Sequence, residues 1–336
     1  MHDSPTNLIC RHVFETHRLV ADFPPRLIHP NKRIVYRIAC PPGCVHTGRL
    51  VFSRWREMTL PDAFPSARQT VFEAREDLFG YEPASKGSAA VEWYLNFADH
   101  DLFCAYGGPL FAQDEMQVAE HPALGSLREA LLHSGVDPAT VEDGEPTPVL
   151  ILGVERRCAV ATDRNAALGR PFGLYGNYFA RARPDVIERS VKPIVPPTTT
   201  NLIAMEAPAY GQGAYNLEQI HYILRTAFTG FSAAMIESGR ESTRRPEVVI
   251  HTGFWGCGAY GGNRVLMTLL QLLAAHLSDV DRLVFHTGHE SGSDAFDRAK
   301  RALEHDLIPV GRKPGVSSLL REIEAIGFQW GTSDGT

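Results

Sequence analysis

Five glycines fall within the segment HTGFWGCGAYGGN, residues 251–263. Glycine lets the backbone take positive φ angles and leaves no Cβ to hold a ligand away. Successive free N–H groups beside the start of a helix form a concave site that favours an anion. The segment therefore predicts a phosphate-binding site whose natural ligand is a diphosphate. A structural turn that needs glycine only for packing is the alternative.

The same glycines allow a second interpretation. Gly256, Gly258 and Gly261 match the dinucleotide pattern GxGxxG, and Glu290 follows the next predicted strand, where an acidic residue could bind a ribose. An NAD-dependent oxidoreductase is therefore an alternative, although too few residues follow that strand for the rest of a doubly wound domain. No lysine followed by serine or threonine comes after the glycines, which excludes a P-loop.

Strands and helices alternate around this segment, which implies parallel strands with crossover helices and an α/β fold. We predict strands at 91–98, 148–153, 201–207, 247–252 and 282–287, and helices at 122–135, 217–235, 263–277, 294–305 and 317–326. Five prolines in residues 159–200 indicate a long functional loop. His221 falls on the apolar face of its helix, which favours a packed core histidine. Residues 1 to about 90 are rich in proline, which indicates irregular connections.

The composition limits the class of protein. A hydrophobic share of 44% with 21% charged residues is typical of a globular chain, and the net charge of −6 argues against direct nucleic-acid binding. Six cysteines without regular spacing indicate a reducing compartment. No apolar run approaches the roughly 18 residues that span a membrane, so we expect a cytoplasmic protein without a membrane partner.

Cys40, Cys44 and His46 have a spacing that could suggest zinc. A closed structural zinc site needs four ligands, and no fourth is evident nearby. The sequence therefore predicts neither a metal site nor a cofactor.

The segment GFWGCGAYGG, residues 253–262, resembles the diphosphate-binding turn GNWGCGAFGG of the poly(ADP-ribose) glycohydrolase family. A second match lies upstream, where Phe97, Ala98 and Asp99 correspond to the FAN segment of that family. Residues 113–115, Gln-Asp-Glu, correspond to its Gln-Glu-Glu. The resemblance spans roughly residues 91 to 330. It implies a macrodomain-like mixed sheet flanked by helices, with residues 1–90 as an N-terminal extension packed on a catalytic domain over 91–336.

The resemblance also implies roles for individual residues. Glu115 corresponds to the catalytic acid, Asp114 to the carboxylate that holds the distal ribose, and Asp99 to the FAN residue at the same sugar. Gln113 completes that motif. The adenine-clasping tyrosine of the family corresponds to Tyr175 or Tyr178.

The diphosphate turn would supply the remaining contacts. Tyr260 would pack near the ribose and the diphosphate, and backbone N–H groups of the turn would bind the phosphates. The implied ligand-binding residues of the turn are Gly253, Phe254, Gly256, Cys257, Gly258, Ala259 and Tyr260. For the adenine, Phe172 and Phe179 are weaker candidates than the two tyrosines.

The resemblance predicts a glycosidase that releases ADP-ribose from an ADP-ribose conjugate without a metal. Phe103, Cys104 and Ala105 stand where the family has a glycine triplet, and Gly107 and Gly108 come later. Close approach of the backbone to the distal ribose needs small residues. A module that binds ADP-ribose without cleaving it is therefore the second hypothesis.

Overall fold

A mixed eight-stranded sheet flanked by helices forms the centre of the protein. The computed structural model describes residues 7–63, 70–81, 90–240, 244–309, 311–312 and 314–335. In chain order the strands are β1 (Leu8–Glu15), β2 (Arg49–Trp55), β3 (Val71–Arg75), β4 (Ala90–Phe97), the short hairpin β5 (Val141–Glu142) and β6 (Glu145–Pro146), β7 (Val149–Val160), β8 (Val191–Met205), β9 (Glu247–Thr252) and β10 (Arg282–His286).

The helices lie between these strands. They are α1 (Thr16–Asp22), α2 (Pro30–Ala39), α3 (Gln113–Glu120), α4 (Ala123–His133), α5 (Tyr178–Arg181), α6 (Pro184–Ser190), α7 (Leu217–Arg240), α8 (Arg264–Leu277), α9 (Glu290–Arg301) and α10 (Val316–Ile326). A 3₁₀ turn covers Ala166–Leu168, and a π-helical turn extends α9 over Ala302–Leu307. None of the helices described is long and apolar enough to cross a membrane.

The spatial order of the sheet is β1-β2-β7-β8-β4-β9-β10-β3. The strands from β8 to β3 in this order are mutually parallel, whereas β1, β2 and β7 pair antiparallel. Alternate residues of one strand enter different apolar clusters, because successive side chains of a strand point to opposite faces. On β7, for example, Leu150 packs with helices α7 to α10, while Val149 and Ile151 pack with α1 and α4.

The predicted α/β alternation from β4 onward is confirmed, since each predicted strand and helix has a counterpart. The long loop predicted over 159–200 is wrong at its ends, because β7 continues to Val160 and β8 begins at Val191; the connection over 161–190 remains and contains the short helices α5 and α6. The prolines of β8 are tolerated because its first ten residues pair with β7 alone, while β4 pairs only with Leu202–Met205. His221 is half-buried and not a core residue, since Ile223 and Leu224 take the buried face of α7.

The irregular connections predicted for residues 1–90 are also wrong. β1 and β2 form one edge of the sheet, and β3 forms the other by pairing in parallel with β10. The partners of these strands are far away in sequence, so the local pattern gives little sign of them. A domain boundary near residue 90 stays a prediction, and strands from both sides of it share one sheet.

Candidate active site

The carboxyl ends of three adjacent parallel strands form the centre of the candidate site. β8, β4 and β9 lie side by side and run in the same direction. Ligands of parallel sheets bind where such strands end, because the loops that follow converge at one edge. Glu206 follows β8, Asp99 follows β4, and Gly253 follows β9. The two predicted motifs therefore meet in space although they are distant in sequence.

The predicted carboxyl pair lies in the first turn of α3. The Asn96 side-chain amide donates to Oδ1 of Asp114 at 2.9 Å, and the Ala112 backbone N–H donates to Oε2 of Glu115 at 2.9 Å. Oε1 of Gln113 accepts from the Phe97 N–H at 2.8 Å and ties the helix to the end of β4. Gln113 thus positions the helix in this structure.

Both carboxyl groups are almost fully withdrawn from water, with 6% of Asp114 and 4% of Glu115 exposed. Burial raises the pKa of Asp114, and the charge of Glu115 raises it further. Burial likewise raises the pKa of Glu115, while the nearby Lys32 ammonium opposes that shift. A raised pKa keeps a carboxyl group protonated at higher pH, as a general acid requires.

Lys32 of α2 is a buried cation that the sequence analysis missed. Its ammonium donates to the Tyr106 carbonyl oxygen at 3.0 Å and lies 4.9 Å from the centroid of the Phe111 ring. Burial lowers its pKa to about 8, against the opposing effect of Glu115 and Asp114. A signal was present, since Lys32, Val35 and Ala39 recur at helical spacing on the buried face of α2.

A second acidic group lies nearer to solvent. Nδ1 of His100 is 2.8 Å from Oδ1 of Asp99 and 3.9 Å from Oε1 of Glu206. Burial, and then the charge of Asp99, raise the pKa of Glu206 to about 7, although His100 opposes this. The sequence analysis also missed Glu206, although this residue lies near the end of the strand predicted over 201–207.

Backbone hydrogen bonds within the glycine turn fix its conformation. The Gly262 N–H donates to the Gly256 carbonyl oxygen at 2.8 Å, and the Cys257 N–H donates to that of Phe254 at 3.0 Å. Within the described part of the chain, the N–H groups of Gly256, Gly258 and Ala259 donate to no acceptor. Three of the predicted phosphate donors are thus free, and the Cys257 N–H is a correction because it is already bonded.

Side chains of the turn anchor it to the sheet. The indole N–H of the buried Trp255 donates to the Met205 carbonyl oxygen at 2.9 Å. The Phe254 ring packs edge-on against Phe285 at 5.1 Å between centroids, so its side chain is a core contact and not a ligand contact in this structure. Burial raises the pKa of the Cys257 thiol to about 12, which leaves it neutral at physiological pH.

Tyr260 connects the turn with the acidic end. Burial raises its pKa, and the charges of Asp99, Glu206 and Asp114 raise it further, which brings this ring and three carboxyl groups into one electrostatic environment. The Tyr210 ring lies 5.8 Å from the Tyr260 ring. Tyr260 therefore links the glycine turn electrostatically with the acidic end.

Residues 171–179, the aromatic loop, lie beside the start of α3. Tyr175 and Tyr178 are 39% and 45% exposed, so both can contact a ligand. The Gly176 N–H donates to the Phe111 carbonyl oxygen at 3.0 Å, close to the start of α3. Phe179 is excluded as an adenine contact, because it is fully buried and stacks on Phe111 with centroids 4.0 Å apart.

Residues 328–335, the covering segment, lie over the glycine turn. The Gly331 N–H donates to the Gly261 carbonyl oxygen at 2.8 Å, and the Asp334 N–H donates to that of Gly258 at 3.3 Å. A Cβ at Gly258 would lie 3.1 Å from Oδ2 of Asp334. A carboxylate of the chain thus lies close to Gly258.

The comparison with known families matches part of the chain. Residues 149–294 match the family described as "Poly (ADP-ribose) glycohydrolase (PARG), Macro domain fold". This part of the chain is therefore similar to the poly(ADP-ribose) glycohydrolase family, as the sequence motifs predicted. Its mixed sheet flanked by helices is the macrodomain-like architecture predicted from the sequence.

Solved structures similar to this chain include poly(ADP-ribose) glycohydrolases of two bacteria. One is from Thermomonospora curvata, with 16% identity over 86% of this chain and 85% of that chain and a TM-score of 0.41. Another, from Deinococcus radiodurans in complex with ADP-ribose, has 14% identity over 88% of this chain and 95% of that chain and a TM-score of 0.41.

The loop between β4 and α3 differs from the family pattern. Phe103 is fully buried with φ at +59°, so a bulky side chain fills the place expected for a glycine. Gly107 packs directly against the backbone of Arg26, because a Cβ at residue 107 would lie 2.2 Å from the Arg26 carbonyl oxygen. Asp101 and Arg128 fix the loop through two hydrogen bonds of 2.7 and 2.8 Å. Gly107 therefore serves packing against residues 26–28.

Proposed function

We propose that this protein hydrolyses the O-glycosidic ribose bond of an ADP-ribose conjugate, with Glu115 as general acid. One observation carries the proposal. The ends of β4 and β9 bring a buried carboxyl pair and a glycine turn with three free N–H groups to the same edge of the sheet. A diphosphate held at one end and an acid at the other is the arrangement that this bond cleavage requires.

Binding would use both ends of the cleft. The N–H groups of Gly256, Gly258 and Ala259 would donate to the diphosphate, since free backbone donors beside a helix start favour anions. Tyr260 would pack on the ribose, and Asp114 and Asp99 would accept from its hydroxyl groups. The backbone of Gly253 lies at the mouth of the turn, and Tyr175 or Tyr178 would stack on the adenine.

The reaction begins with the protonated Glu115 carboxyl group. It would donate its proton to the leaving oxygen as the bond from that oxygen to the anomeric carbon breaks. The resulting carboxylate would stabilise the positive sugar and take a proton from the water that adds to the anomeric carbon. This step restores the acid and releases ADP-ribose. The raised pKa of Glu115 supports the role, and Lys32 limits how far that pKa rises.

The decisive variant is Glu115→Gln, which keeps an oxygen for the Ala112 N–H but cannot donate a catalytic proton. General acid–base catalysis contributes about 10²- to 10⁴-fold in rate, so we expect a loss of that size in ADP-ribose release. Calorimetry should give an ADP-ribose Kd within about threefold of the parent protein.

The matched control is Glu304→Gln on the π-helical turn, which makes the same chemical change in a solvent-exposed ion pair. It should leave both rate and affinity unchanged. Unchanged turnover by the Glu115 variant on polymeric, protein-linked and small-molecule conjugates would remove Glu115 from the mechanism.

A specific observation keeps a second function in view. The buried Phe103 and the self-packed Gly107 leave the loop before α3 without the small residues that would let its backbone approach a distal ribose. Tight ADP-ribose binding without hydrolysis of any conjugate would favour a non-hydrolytic reader of ADP-ribose. The family match counts against the oxidoreductase alternative, which retention of NAD(H) during purification would revive.

A further inference from the structure

A cluster of two thiols and an imidazole lies away from the cleft, at the end of α2. Sγ of Cys40, Sγ of Cys44 and a ring nitrogen of His46 lie within 4.8 Å of one another. Sγ of Cys40 is 3.7 Å from Nε2 of His46. All three are soft or borderline donors of the type that zinc prefers.

The local backbone explains the close approach of the two thiols. Cys40 follows the last turn of α2, and the Cys44 N–H donates to the Pro41 carbonyl oxygen at 3.0 Å. Pro42 and Gly43, with φ of +82° at the glycine, fit the central positions of a type II turn. This tight turn returns Cys44 to Cys40 and makes the site a rigid feature of the loop.

A buried carboxylate lies behind the imidazole. Nδ1 of His46 lies 3.1 Å from Oε2 of Glu155 on β7, both side chains are nearly buried, and neither atom makes a hydrogen bond in the described structure. A proton on Nδ1 would suit this carboxylate and would leave the Nε2 lone pair free on the side of the Cys40 thiol. Metal-binding histidines commonly have such a carboxylate behind them, because it fixes the tautomer and the ring orientation.

We propose that Cys40, Cys44 and His46 bind a zinc ion through Sγ, Sγ and Nε2, with a fourth position open to water. Tetrahedral zinc with bonds of about 2.3 Å to sulfur and 2.0 Å to nitrogen separates the sulfur and nitrogen by about 3.5 Å. The 3.7 Å between Cys40 and His46 fits this geometry without backbone movement. Binding releases the two thiol protons to solvent.

This inference revises the expectation of no metal, which rested on the absence of a fourth ligand. A site of three protein ligands and one water needs no fourth side chain. The ion would connect the end of α2 to β7 through Glu155. Since α2 also carries Lys32, the zinc would hold the helix that presents this ammonium to the buried carboxyl pair.

The test uses the full chain, stripped with a chelator and titrated with zinc alone. We expect about one zinc per chain by mass spectrometry, and cobalt substitution should give the absorption bands of thiolate-bound cobalt. Cys44→Ser should abolish the cobalt–thiolate bands at one equivalent. The control Cys10→Ser, on β1, should leave binding unchanged.

Glu155→Gln keeps all three ligands and should weaken zinc affinity by about 10- to 100-fold, the usual effect of removing a carboxylate behind a histidine ligand. Equal affinity of this variant and the parent would overturn the assigned orientation of His46. A parent protein that binds no zinc under reducing conditions, or whose thiol count shows a Cys40–Cys44 disulfide after purification in reductant, would overturn the site.

A different observation carries a second inference, which rests on the proposed function. The covering segment is anchored at Trp330, which stacks on Tyr215 with centroids 4.2 Å apart. Beyond Trp330 it crosses the glycine turn and ends with the Gly335 carbonyl oxygen 3.5 Å from the side-chain amide of Asn177, in the aromatic loop. The segment thus covers both the diphosphate side and the adenine side of the cleft.

We infer that residues 331–335 form an autoinhibitory strap that ADP-ribose must displace. The Asp334 carboxylate lies beside Gly258, where an added Cβ would come within 3.1 Å of its Oδ2, so the strap and a ligand on this turn would compete for the same space. Only two backbone hydrogen bonds join residues 331–335 to the turn among the contacts described. Net contributions of about 1 kcal/mol per hydrogen bond make such a strap easy to displace.

Removing residues 331–336 while keeping Trp330 should tighten the ADP-ribose Kd by at least about fivefold, which corresponds to about 1 kcal/mol. Asp334→Asn should have a smaller effect in the same direction, and the exposed Asp306→Asn should have none. If the shortened and full chains bind ADP-ribose equally, the strap is wrong. If neither binds, the proposed function itself fails.

Discussion

The two ends of the cleft are built in opposite ways. The acidic end uses side chains, with Asp114 and Glu115 buried and bonded to Asn96 and to the Ala112 backbone. The glycine turn uses the backbone, and its free N–H groups lie beneath the covering segment. A general acid would need a fixed and desolvated carboxyl group, whereas a phosphate site would need only donors that a ligand can uncover.

The largest expected effect on ADP-ribose affinity comes from a substitution in the glycine turn. Gly258→Val places a side chain beside the Asp334 carboxylate, where the proposed phosphate would bind. The φ angle of Gly258 lies outside the left-handed region, so folding should persist. We expect ADP-ribose affinity to fall by about 100-fold, or about 2.7 kcal/mol, by calorimetry. Gly239→Val on α7, where a Cβ meets open space, is the control. Equal loss in both variants would point to general destabilisation.

Lys32→Met tests the electrostatics of the acidic end. Its ammonium lowers the pKa of Glu115, so removing it should raise that pKa further. A general acid is active only when protonated, so the fall of the rate at high pH should move upward, by about one pH unit. The pH–rate profile of kcat/KM measures this. Lys300→Met, in an exposed ion pair on α9, should leave the profile in place, and a downward shift in the Lys32 variant would contradict the assignment.

Asp114→Asn tests how the raised pKa of Asp114 affects the stability of the fold. Burial raises the folded-state pKa of Asp114, so its stabilising contribution is complete below the unfolded pKa of about 3.9 and is lost as pH rises through the folded pKa. The asparagine amide does not ionise, so the variant does not lose this stability as the pH rises. Thermal unfolding at pH 8 should show the variant about 1 kcal/mol more stable relative to the parent than at pH 4. A pH-independent difference would contradict the raised pKa.

The smallest effect on binding is expected from Phe254→Leu. The Phe254 ring packs on Phe285 in the core, so the change should cost less than about 1.5 kcal/mol of unfolding free energy. The ADP-ribose Kd should stay unchanged, since the Phe254 ring packs against Phe285 and would not contact the proposed ligand. A change in Kd without loss of stability would return the Phe254 side chain to the ligand site.

Local sequence patterns predicted much of the fold and part of the candidate site. Strand β9 and helix α8 were predictable because their apolar residues repeat with the period of one element, and the glycine turn between them was predictable because its composition is itself a backbone requirement. The N-terminal strands, and the parts of β7 and β8 beyond the strands predicted at 148–153 and 201–207, were not predictable, since their pairing partners lie far along the chain.

By itself, the sequence determined which backbone could leave N–H groups free and which acid could stand at the start of α3. Both properties belong to short stretches of chain. The approach of Lys32 to Glu115, of Glu206 to Asp99 and of Asp334 to Gly258 depends on the tertiary structure. Burial and electrostatic proximity depend on segments that meet through the sheet, and no spacing along the chain records that meeting.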